Sequence, residues 1–171
     1  MKIAIIGYSG SGKSTLSRQL AKHYNIPVLF LDTVNFLPNW VMRDKDEGRL
    51  IVWDFMKNDS WIIDGNYSGF YQRERLEQAD KIIFLNFPRR ICMYRALKRY
   101  FKNKNTTRED MAKGCIEKMD LEFIWWILHE GRTKEKSNHY KNIEQEFKDK
   151  VVVLKSPKEV SLFLQKEINC K

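Results

Sequence analysis

The chain has 171 residues and carries a formal net charge of +9, with 31 Lys and Arg against 22 Asp and Glu. This length predicts one domain with a sizeable hydrophobic core. No stretch approaches the roughly 18 apolar residues of a membrane span, and the first apolar run is too short for a signal peptide. We therefore expect a soluble, cytoplasmic protein without a membrane partner. Cys92, Cys115 and Cys170 are widely spaced and form no C-x-x-C pair, so reduced thiols are expected rather than disulfides or a zinc site.

The first fifteen residues join a short apolar run to a phosphate-binding motif. Residues 1–6 predict a strand, and the segment that follows, Gly7-Tyr8-Ser9-Gly10-Ser11-Gly12-Lys13-Ser14, fits the P-loop pattern G-x-x-x-x-G-K-[ST]. Glycines allow successive backbone N–H groups to point at one phosphate, and the following helix adds its N-terminal dipole. Lys13 supplies a cation for the β- and γ-phosphates, and the Ser14 hydroxyl is an oxygen ligand suited to Mg²⁺.

This motif predicts ATP and Mg²⁺ as cofactors. The residues expected to bind them are Gly7, Ser9, Gly10, Ser11, Gly12, Lys13, Ser14 and Thr15. The alternative is a flexible loop that merely contains a lysine. The position of the motif between a predicted strand and a predicted helix favours phosphate binding.

Helices and apolar strands alternate through the first half of the chain. A helix is expected from Ser14 to about Tyr24, then a strand at residues 28–31 ending at Asp32, a loop over residues 33–39, and a helix at about 44–57. The apolar residues of this second helix are expected to be Leu50, Trp53, and Phe55 or Met56. A third strand at residues 61–64 ends at Asp64, and a short helix follows at about 71–78.

The first three strands predict β-α-β units of a parallel sheet, because they are apolar on both faces. Asp32 and Asp64 are therefore expected at the carboxyl edge of the sheet, where open α/β sheets bind their ligands. The alternative for either residue is a helix cap or a turn.

The second half begins with a strand at residues 81–86 and a helix that starts at Pro88. Its apolar stripe is predicted to contain Ile91, Tyr94, Leu97 and Phe101, with Arg95, Arg99 and Lys102 on another face. Residues 121–129 form a helix that is apolar nearly all round and should be covered on several sides. Trp125 and Trp126 are accordingly interpreted as core residues rather than as a platform for base stacking.

A helix at about 140–147, a fifth strand at residues 151–154 and a final helix complete the chain. The final helix should begin with Ser156 as N-cap and Glu159 as the acid of a capping box.

Positive charge is concentrated between Arg89 and Lys118. This segment contains ten basic and three acidic residues, a net charge of +7. Such a segment favours an anionic partner, and both nucleotide phosphates and a nucleic-acid backbone qualify. For Arg95 and Arg99 the alternative is a solvated helix face.

The order of these motifs resembles that of P-loop nucleoside, nucleotide and shikimate kinases over essentially the whole chain. A closer resemblance, to the adenylate-kinase-like proteins of the FlaR-related "DNA topology modulation protein" group, rests on residues 61–67, Leu31-Asp32 with Pro38-Asn39-Trp40, residues 75–80, and Gly114-Cys115 with Glu122-Phe123. The resemblance implies a P-loop NTPase fold: three α/β/α layers around a five-stranded parallel sheet of order 2-3-1-4-5. It also implies a single domain, residues 1–171, with a helical lid-like segment at about 102–140.

The resemblance implies transfer of the ATP γ-phosphoryl group to a small-molecule acceptor. In adenylate kinases the Asp of an Asp-Gly pair after strand three lies near Mg²⁺, which matches Asp64. Two arginines four residues apart, the first seven residues past a proline, match Arg95 and Arg99. In shikimate kinases an Asp-x-Asp after strand two acts on the metal and the acceptor hydroxyl; Asp32 matches its first acid, and Val34 replaces the second.

One departure from the adenylate kinase pattern bears on the acceptor. Adenylate kinases continue Asp-Gly with Phe-Pro-Arg, but this chain has Asn66-Tyr67-Ser68. The missing arginine argues against AMP as the acceptor, and Arg75 is the expected substitute.

The predicted site combines these assignments. Lys13, Asp32, Arg95 and Arg99 are the expected catalytic residues, and Ser14 with Asp64 the expected metal ligands. The acceptor is expected to contact Asp32, Trp40, Asp64, Asn66, Tyr67, Arg75 and Arg132. Two alternatives stay open. The first is a nucleic-acid-binding protein that uses ATP as a switch and affects DNA topology, although no nucleic-acid motif is visible. The second is a nucleotide-binding protein with little turnover. The acceptor, the preferred nucleoside triphosphate and the oligomeric state also stay open.

Overall fold

The computed structural model describes residues 1–104, 106–107, 111–112, 114–117 and 119–169. In chain order its elements are β1 (Lys2–Gly7), α1 (Lys13–Tyr24), β2 (Val28–Phe30), α2 (Leu31–Asn35), β3 (Phe36–Leu37), β4 (Val41–Met42), α3 (Lys45–Met56), β5 (Trp61–Asp64), α4 (Gln72–Gln78), β6 (Lys81–Leu85), α5 (Arg89–Asn103), α6 (Leu121–Leu128), α7 (Lys134–Glu146), β7 (Val151–Leu154) and α8 (Pro157–Asn169). Short 3₁₀ turns lie at Pro38–Trp40 and Glu130–Arg132.

Five parallel strands form the central sheet in the order β2-β5-β1-β6-β7. Counting only these five strands along the chain, this is the predicted order 2-3-1-4-5, which is confirmed. Consecutive residues of β1 and β5, including Ile3, Ala4, Ile62 and Ile63, are fully buried, so both faces of the sheet are covered. An apolar strand of this kind is stable only between two layers of helices.

The segment after β2 differs from its prediction. Residues 31–35 form helix α2, and β3 and β4 pair as a small antiparallel hairpin, where a loop was expected. Leu31 and Val34 are buried, and the Thr33 Oγ1 donates to the Phe30 carbonyl at 2.7 Å. The chain therefore leaves the sheet one residue earlier than its apolar run suggests.

Helix α3 buries Met56 as predicted, but the rest of its buried face differs from the prediction. Its buried residues are Gly48, Val52 and Met56, whereas Leu50 and Trp53 are exposed. Gly48 permits this close packing, because a Cβ built there would lie 2.8 Å from the Phe70 ring.

The predicted apolar stripe of α5 is confirmed at Ile91, which packs against the core, and is wrong at its other three residues. Cys92 and Ala96 are buried, while Tyr94, Leu97 and Phe101 are exposed. The small side chains let α5 approach the loop after β1 more closely than bulky ones would allow.

Helix α6 is packed on one side rather than on several. Ile127 is its buried residue, and Leu121, Trp125 and Trp126 are exposed. The helix contacts α5 and the 3₁₀ turn at Glu130–Arg132, and Phe123 packs against the core, while Leu121 and Trp125 stay exposed.

The C-terminal region follows its prediction closely, although α7 starts earlier than expected, with Thr133 as its N-cap. The Ser156 Oγ accepts from the Glu159 N–H at 3.2 Å, and the Glu159 carboxylate accepts from the Lys155 N–H at 2.9 Å. Of the basic segment, Arg108, Lys113 and Lys118 lie outside the described residues, as does Cys170. Within the described ranges, no helix has the length and apolar character needed to cross a bilayer.

Candidate active site

The loop between β1 and α1 forms a tight backbone cradle at the start of a helix. Gly10 and Gly12 adopt positive φ values of 79° and 97°, which are strained for other residues. A Cβ on Gly10 would collide with the Cys92 carbonyl, and one on Gly12 would lie 2.5 Å from the Arg95 guanidinium. The buried Ser11 hydroxyl has no hydrogen-bond partner among the described residues. This arrangement of backbone groups, a helix N-terminus and a nearby cation suits the phosphates of a nucleotide.

A cleft of about 2330 Å³ opens over this loop. The structure brings most of the predicted site residues to its walls: Ser9, Gly10, Gly12, Lys13, Ser14, Thr15, Asp32, Trp40, Asp64, Asn66, Tyr67, Arg95, Arg99 and Arg132. Three predicted site residues do not line the cleft: Gly7, Ser11 and Arg75.

The two predicted aspartates reach the same edge of the sheet. Phe30 pairs with Asp64 in the parallel ladder of β2 and β5, and Asp32 follows two residues later. Asp64 is buried and Asp32 is half-buried. The placement at the carboxyl ends of neighbouring strands agrees with the prediction.

Tyr67 orients the Asp32 carboxylate. Its hydroxyl donates to Asp32 Oδ1 at 2.8 Å. Burial raises the pKa of Tyr67 far above its ordinary value, and the charge of Asp32 raises it further. Tyr67 therefore stays protonated and acts as a hydrogen-bond donor at any physiological pH.

Asn66 lies at the cleft wall but binds the phosphate loop itself. Its Nδ2 donates to the Gly7 carbonyl at 2.7 Å, and its Oδ1 accepts from the Gly7 N–H at 3.0 Å. Behind it, the Gln72 Nε2 donates to the Asn66 carbonyl at 3.1 Å, and the Gln72 Oε1 lies 2.9 Å from His139 Nε2. These bonds position the start of the loop.

Arg75 does not fit its predicted contact with an acceptor phosphate. The side chain is fully buried, and its guanidinium donates to the carbonyls of Phe70 and Tyr67 at 2.8 Å and of Gly65 at 3.3 Å. Burial lowers the pKa of Arg75 to about 10. These three bonds hold the loop at residues 65–70. They also keep the Arg75 side chain in the interior rather than at the cleft.

The two arginines of α5 have different surroundings. Arg95 lies beside Gly12 of the phosphate loop. Arg99 Nε donates to Glu117 Oε1 at 2.6 Å, and its guanidinium lies 5.8 Å from the centre of the Phe123 ring. Glu117 is almost fully buried, so it holds Arg99 at a defined point of the cleft wall. Sequence reasoning missed Glu117, since its partner is 18 residues away and no motif joins them.

Arg132 contacts the loop rather than the region around Asp32. Its guanidinium stacks on the Tyr8 ring at 3.7 Å and donates to the Phe87 carbonyl at 2.7 Å. The predicted acceptor contact of Arg132 therefore does not match its position, which is beside Tyr8 of the phosphate-loop motif.

Trp126 is a second residue that sequence reasoning misplaced. It is 39% exposed, and its Nε1 donates to the Ser9 Oγ of the phosphate loop at 3.2 Å. The Lys136 ammonium lies 3.8 Å from the centre of the Trp126 ring. Trp126 thus lines the cleft. The sequence feature that could have indicated this is the pair of neighbouring tryptophans in a helix without a polar face.

Trp40 joins the β3–β4 hairpin to the segment at residues 114–117. Its backbone N–H donates to the Cys115 Sγ at 3.3 Å, and its Nε1 donates to the Ile116 carbonyl at 3.1 Å. The Cys115 thiol in turn donates to the Leu37 carbonyl at 3.5 Å. The hairpin and this segment are therefore in direct contact.

Comparison with known proteins assigns the class of fold. No family model matches the chain. Solved structures of similar fold include shikimate kinases and a deoxyadenosine kinase, and together with the five-stranded parallel sheet they show the α/β fold predicted for a P-loop protein.

The particular relatives are distant in sequence. The chain is 23% identical over 119 residues to an adenylate kinase from Bartonella tribocorum, a match that covers 68% of this chain and 60% of that protein. A shikimate kinase from Acinetobacter baumannii, solved with shikimate, has a TM-score of 0.56 at 14% identity, covering 98% of this chain and 90% of the other. A deoxyadenosine kinase from M. mycoides, solved with dATP, has a TM-score of 0.55 at 17% identity, covering 98% and 99%.

Proposed function

We propose that the protein is an ATP-dependent phosphotransferase that transfers the γ-phosphoryl group to a hydroxyl of a small acceptor. The observation that carries the proposal is the shared cleft: the phosphate loop, Asp32 and Asp64 all line it, and Arg95 lies beside Gly12. Phosphoryl transfer depends chiefly on positioning and charge neutralisation, and this site offers both.

The nucleotide side of the cleft binds phosphate through the loop backbone, Lys13 and Arg95. Trp126 and Arg132 hold the outer face of the loop through Ser9 and Tyr8. The Ser14 hydroxyl and the Asp64 carboxylate are oxygen ligands that would hold Mg²⁺, which neutralises phosphate charge when bound.

The acceptor side is organised by Asp32. Tyr67 binds Oδ1 of its carboxylate and leaves Oδ2 to accept a hydrogen bond from the acceptor hydroxyl. As the acceptor oxygen forms its bond to the γ-phosphorus, its proton passes to Asp32 and the bond to the ADP oxygen breaks. Arg99, held by Glu117, adds positive charge where charge develops in the transition state.

The finer assignments follow from the sequence resemblance. We assign the chain to the FlaR-related adenylate-kinase-like group on the motif at residues 61–67, and we place it in the cytoplasm. The group's label concerns DNA, but the Asp32 and Arg95 surroundings support small-molecule phosphorylation.

The test is ADP release from Mg·ATP in the presence of a panel of nucleosides, nucleotides and hydroxy metabolites. We expect acceptor-dependent ADP release with the wild type and none with Lys13→Ala. ATP binding without transfer to any acceptor would show a nucleotide-binding protein with little turnover and contradict the proposal.

A further inference from the structure

Four aromatic side chains line the same cleft as Asp32, and one of them, Tyr67, binds its carboxylate. Phe30, Phe36, Trp40 and Tyr67 all line the cleft and are half-buried, so part of each ring faces its interior. Phe36 and Trp40 meet edge to face with ring centres 5.3 Å apart. Such rings offer stacking surface to a flat heterocycle.

The arginines of this part of the chain are committed to protein groups. All four arginines between residues 31 and 80 donate to carbonyls or carboxylates. Arg43 binds the Val34 carbonyl and Glu47, Arg49 binds the Gly69 carbonyl and Asp46, Arg73 binds Glu77 and Glu146, and Arg75 binds three carbonyls. Arginine is the residue that binds a phosphate or carboxylate through two parallel hydrogen bonds, and these four arginines already bind protein oxygens.

Two other cations line this side of the cleft. Lys45 is exposed, and the Arg18 guanidinium lies 5.9 Å from the centre of the Phe30 ring. Over the Phe30 ring, Arg18 extends the flat aromatic surface by cation–π contact. Asn35 adds a side-chain amide to the same wall, with both a donor and an acceptor for the edge of a base.

We propose that the acceptor is an uncharged nucleoside, an inference that rests on the proposed phosphotransferase function. The base stacks among the aromatic rings with its edge at Asn35, and the sugar hydroxyl binds Asp32. The hydroxyl O–H bond breaks, its oxygen bonds to the γ-phosphorus, and the bond from that phosphorus to ADP breaks. Asp32 takes the proton, and the products are a nucleoside monophosphate and ADP.

The closing experiment compares three acceptor classes under Mg·ATP: nucleosides, the matching nucleoside 5′-monophosphates, and hydroxy acids such as shikimate. We expect ADP release with nucleosides, and nucleoside monophosphate as the second product by chromatography. Phosphorylation of nucleotides or hydroxy acids in preference to nucleosides would overturn the inference and leave the phosphotransferase proposal standing. If the protein binds ATP and phosphorylates no class, both proposals fail.

A variant pair then tests the position of the base. Asn35→Leu should raise the KM for the nucleoside about tenfold or more and alter the preference among bases, while the ATP-dependent rise in Tm stays unchanged. Asn58→Leu is the matched control, because Asn58 is exposed and its Nδ2 donates to the nearby Phe55 carbonyl. An unchanged KM and base preference in Asn35→Leu would contradict the placement of the base at this wall.

Discussion

The Asn66 side chain satisfies both backbone groups of Gly7, with its Nδ2 at 2.7 Å from the carbonyl oxygen and its Oδ1 at 3.0 Å from the nitrogen. Gly7 ends β1 and begins the phosphate loop, while Asn66 follows the neighbouring strand β5. A side-chain amide is suited to this double contact because it carries one donor group and one acceptor. The phosphate-loop motif is thus anchored from the strand that carries Asp64.

Replacement of Asn66 should therefore weaken nucleotide binding. Asn66→Asp keeps an acceptor for the Gly7 N–H but places a carboxylate against the Gly7 carbonyl. We expect ATP to bind about tenfold more weakly in this variant, as measured by calorimetry. Asn58→Asp, an exposed position remote from the loop, is the control. Unaltered ATP affinity in Asn66→Asp would show that the amide is dispensable for the loop.

The second prediction concerns Lys13. Mg·ATP or Mg·ADP should raise the Tm of the wild type by mass action, and Lys13→Ala should abolish most of that rise, because a cation for the phosphates is lost. Lys22→Ala, an exposed position on the same helix, should respond like the wild type. The measurement is a thermal melt over a series of nucleotide concentrations, and equal stabilisation of Lys13→Ala and wild type would count against the phosphate loop.

Asp32 and Asp64 should have separable tasks. Asp32→Asn should suppress phosphoryl transfer and leave ATP binding nearly intact, while Asp64→Asn should weaken the response of activity to Mg²⁺ concentration. Tyr67→Phe removes the bond to Asp32 Oδ1 and should resemble a mild form of Asp32→Asn. Steady-state kinetics with varied Mg²⁺ distinguish the three variants. Identical profiles for the two Asp variants would refute this division.

Arg75 should matter for stability rather than for the acceptor. Arg75→Met removes the hydrogen bonds to three carbonyls, two of them buried, so we expect a loss of about 3 kcal/mol, or roughly 6–12 °C in Tm. Arg73→Met, on the exposed side of the same helix, is the control. A changed acceptor KM at unchanged Tm would instead place Arg75 in the site.

The same residue predicts a pH dependence. Because burial lowers the folded-state pKa of Arg75 to about 10, the unfolded chain holds this proton more tightly than the folded chain. Between about pH 10 and the ordinary pKa of arginine, the unfolded state binds more protons, so this group's contribution to stability rises with pH. The difference in unfolding free energy between wild type and Arg75→Met should therefore be constant below about pH 10 and widen above it, as urea titrations would show.

Arg99 distinguishes a kinase site from a nucleic-acid surface. Arg99→Ala should lower kcat by about 100-fold and change ATP affinity little, because the cation acts on charge that develops in the transition state. Lys98→Ala, the exposed neighbour, should have a smaller effect. Duplex DNA should compete poorly with the substrates for binding. A DNA complex that tightens with ATP, loses affinity with salt at a log–log slope of about −0.9 per phosphate, and forms no product would favour the nucleic-acid alternative.

Local sequence determined the five parallel strands and the position of the phosphate-loop motif, but not α2 or the β3–β4 hairpin. The motif ending at Lys13 and Ser14 specifies its own backbone, because its glycines sit where positive φ is required. Strands apolar on both faces require a sheet covered on both sides, and Asp32 and Asp64 follow such strands. The order of the five strands could be predicted from the family resemblance, because that resemblance covers every strand.

Only the tertiary structure decided which helix faces are buried and what each polar group binds. Periodicity placed Tyr94 in the interior, and a helix apolar nearly all round placed Trp126 there, yet both are exposed. Gly and small residues such as Ala96 allow backbones to approach and turn bulky side chains outward. The partners of Arg75 and Arg99 lie on loops that reach them only after folding. Their roles depend on three-dimensional proximity, which no spacing along the chain encodes.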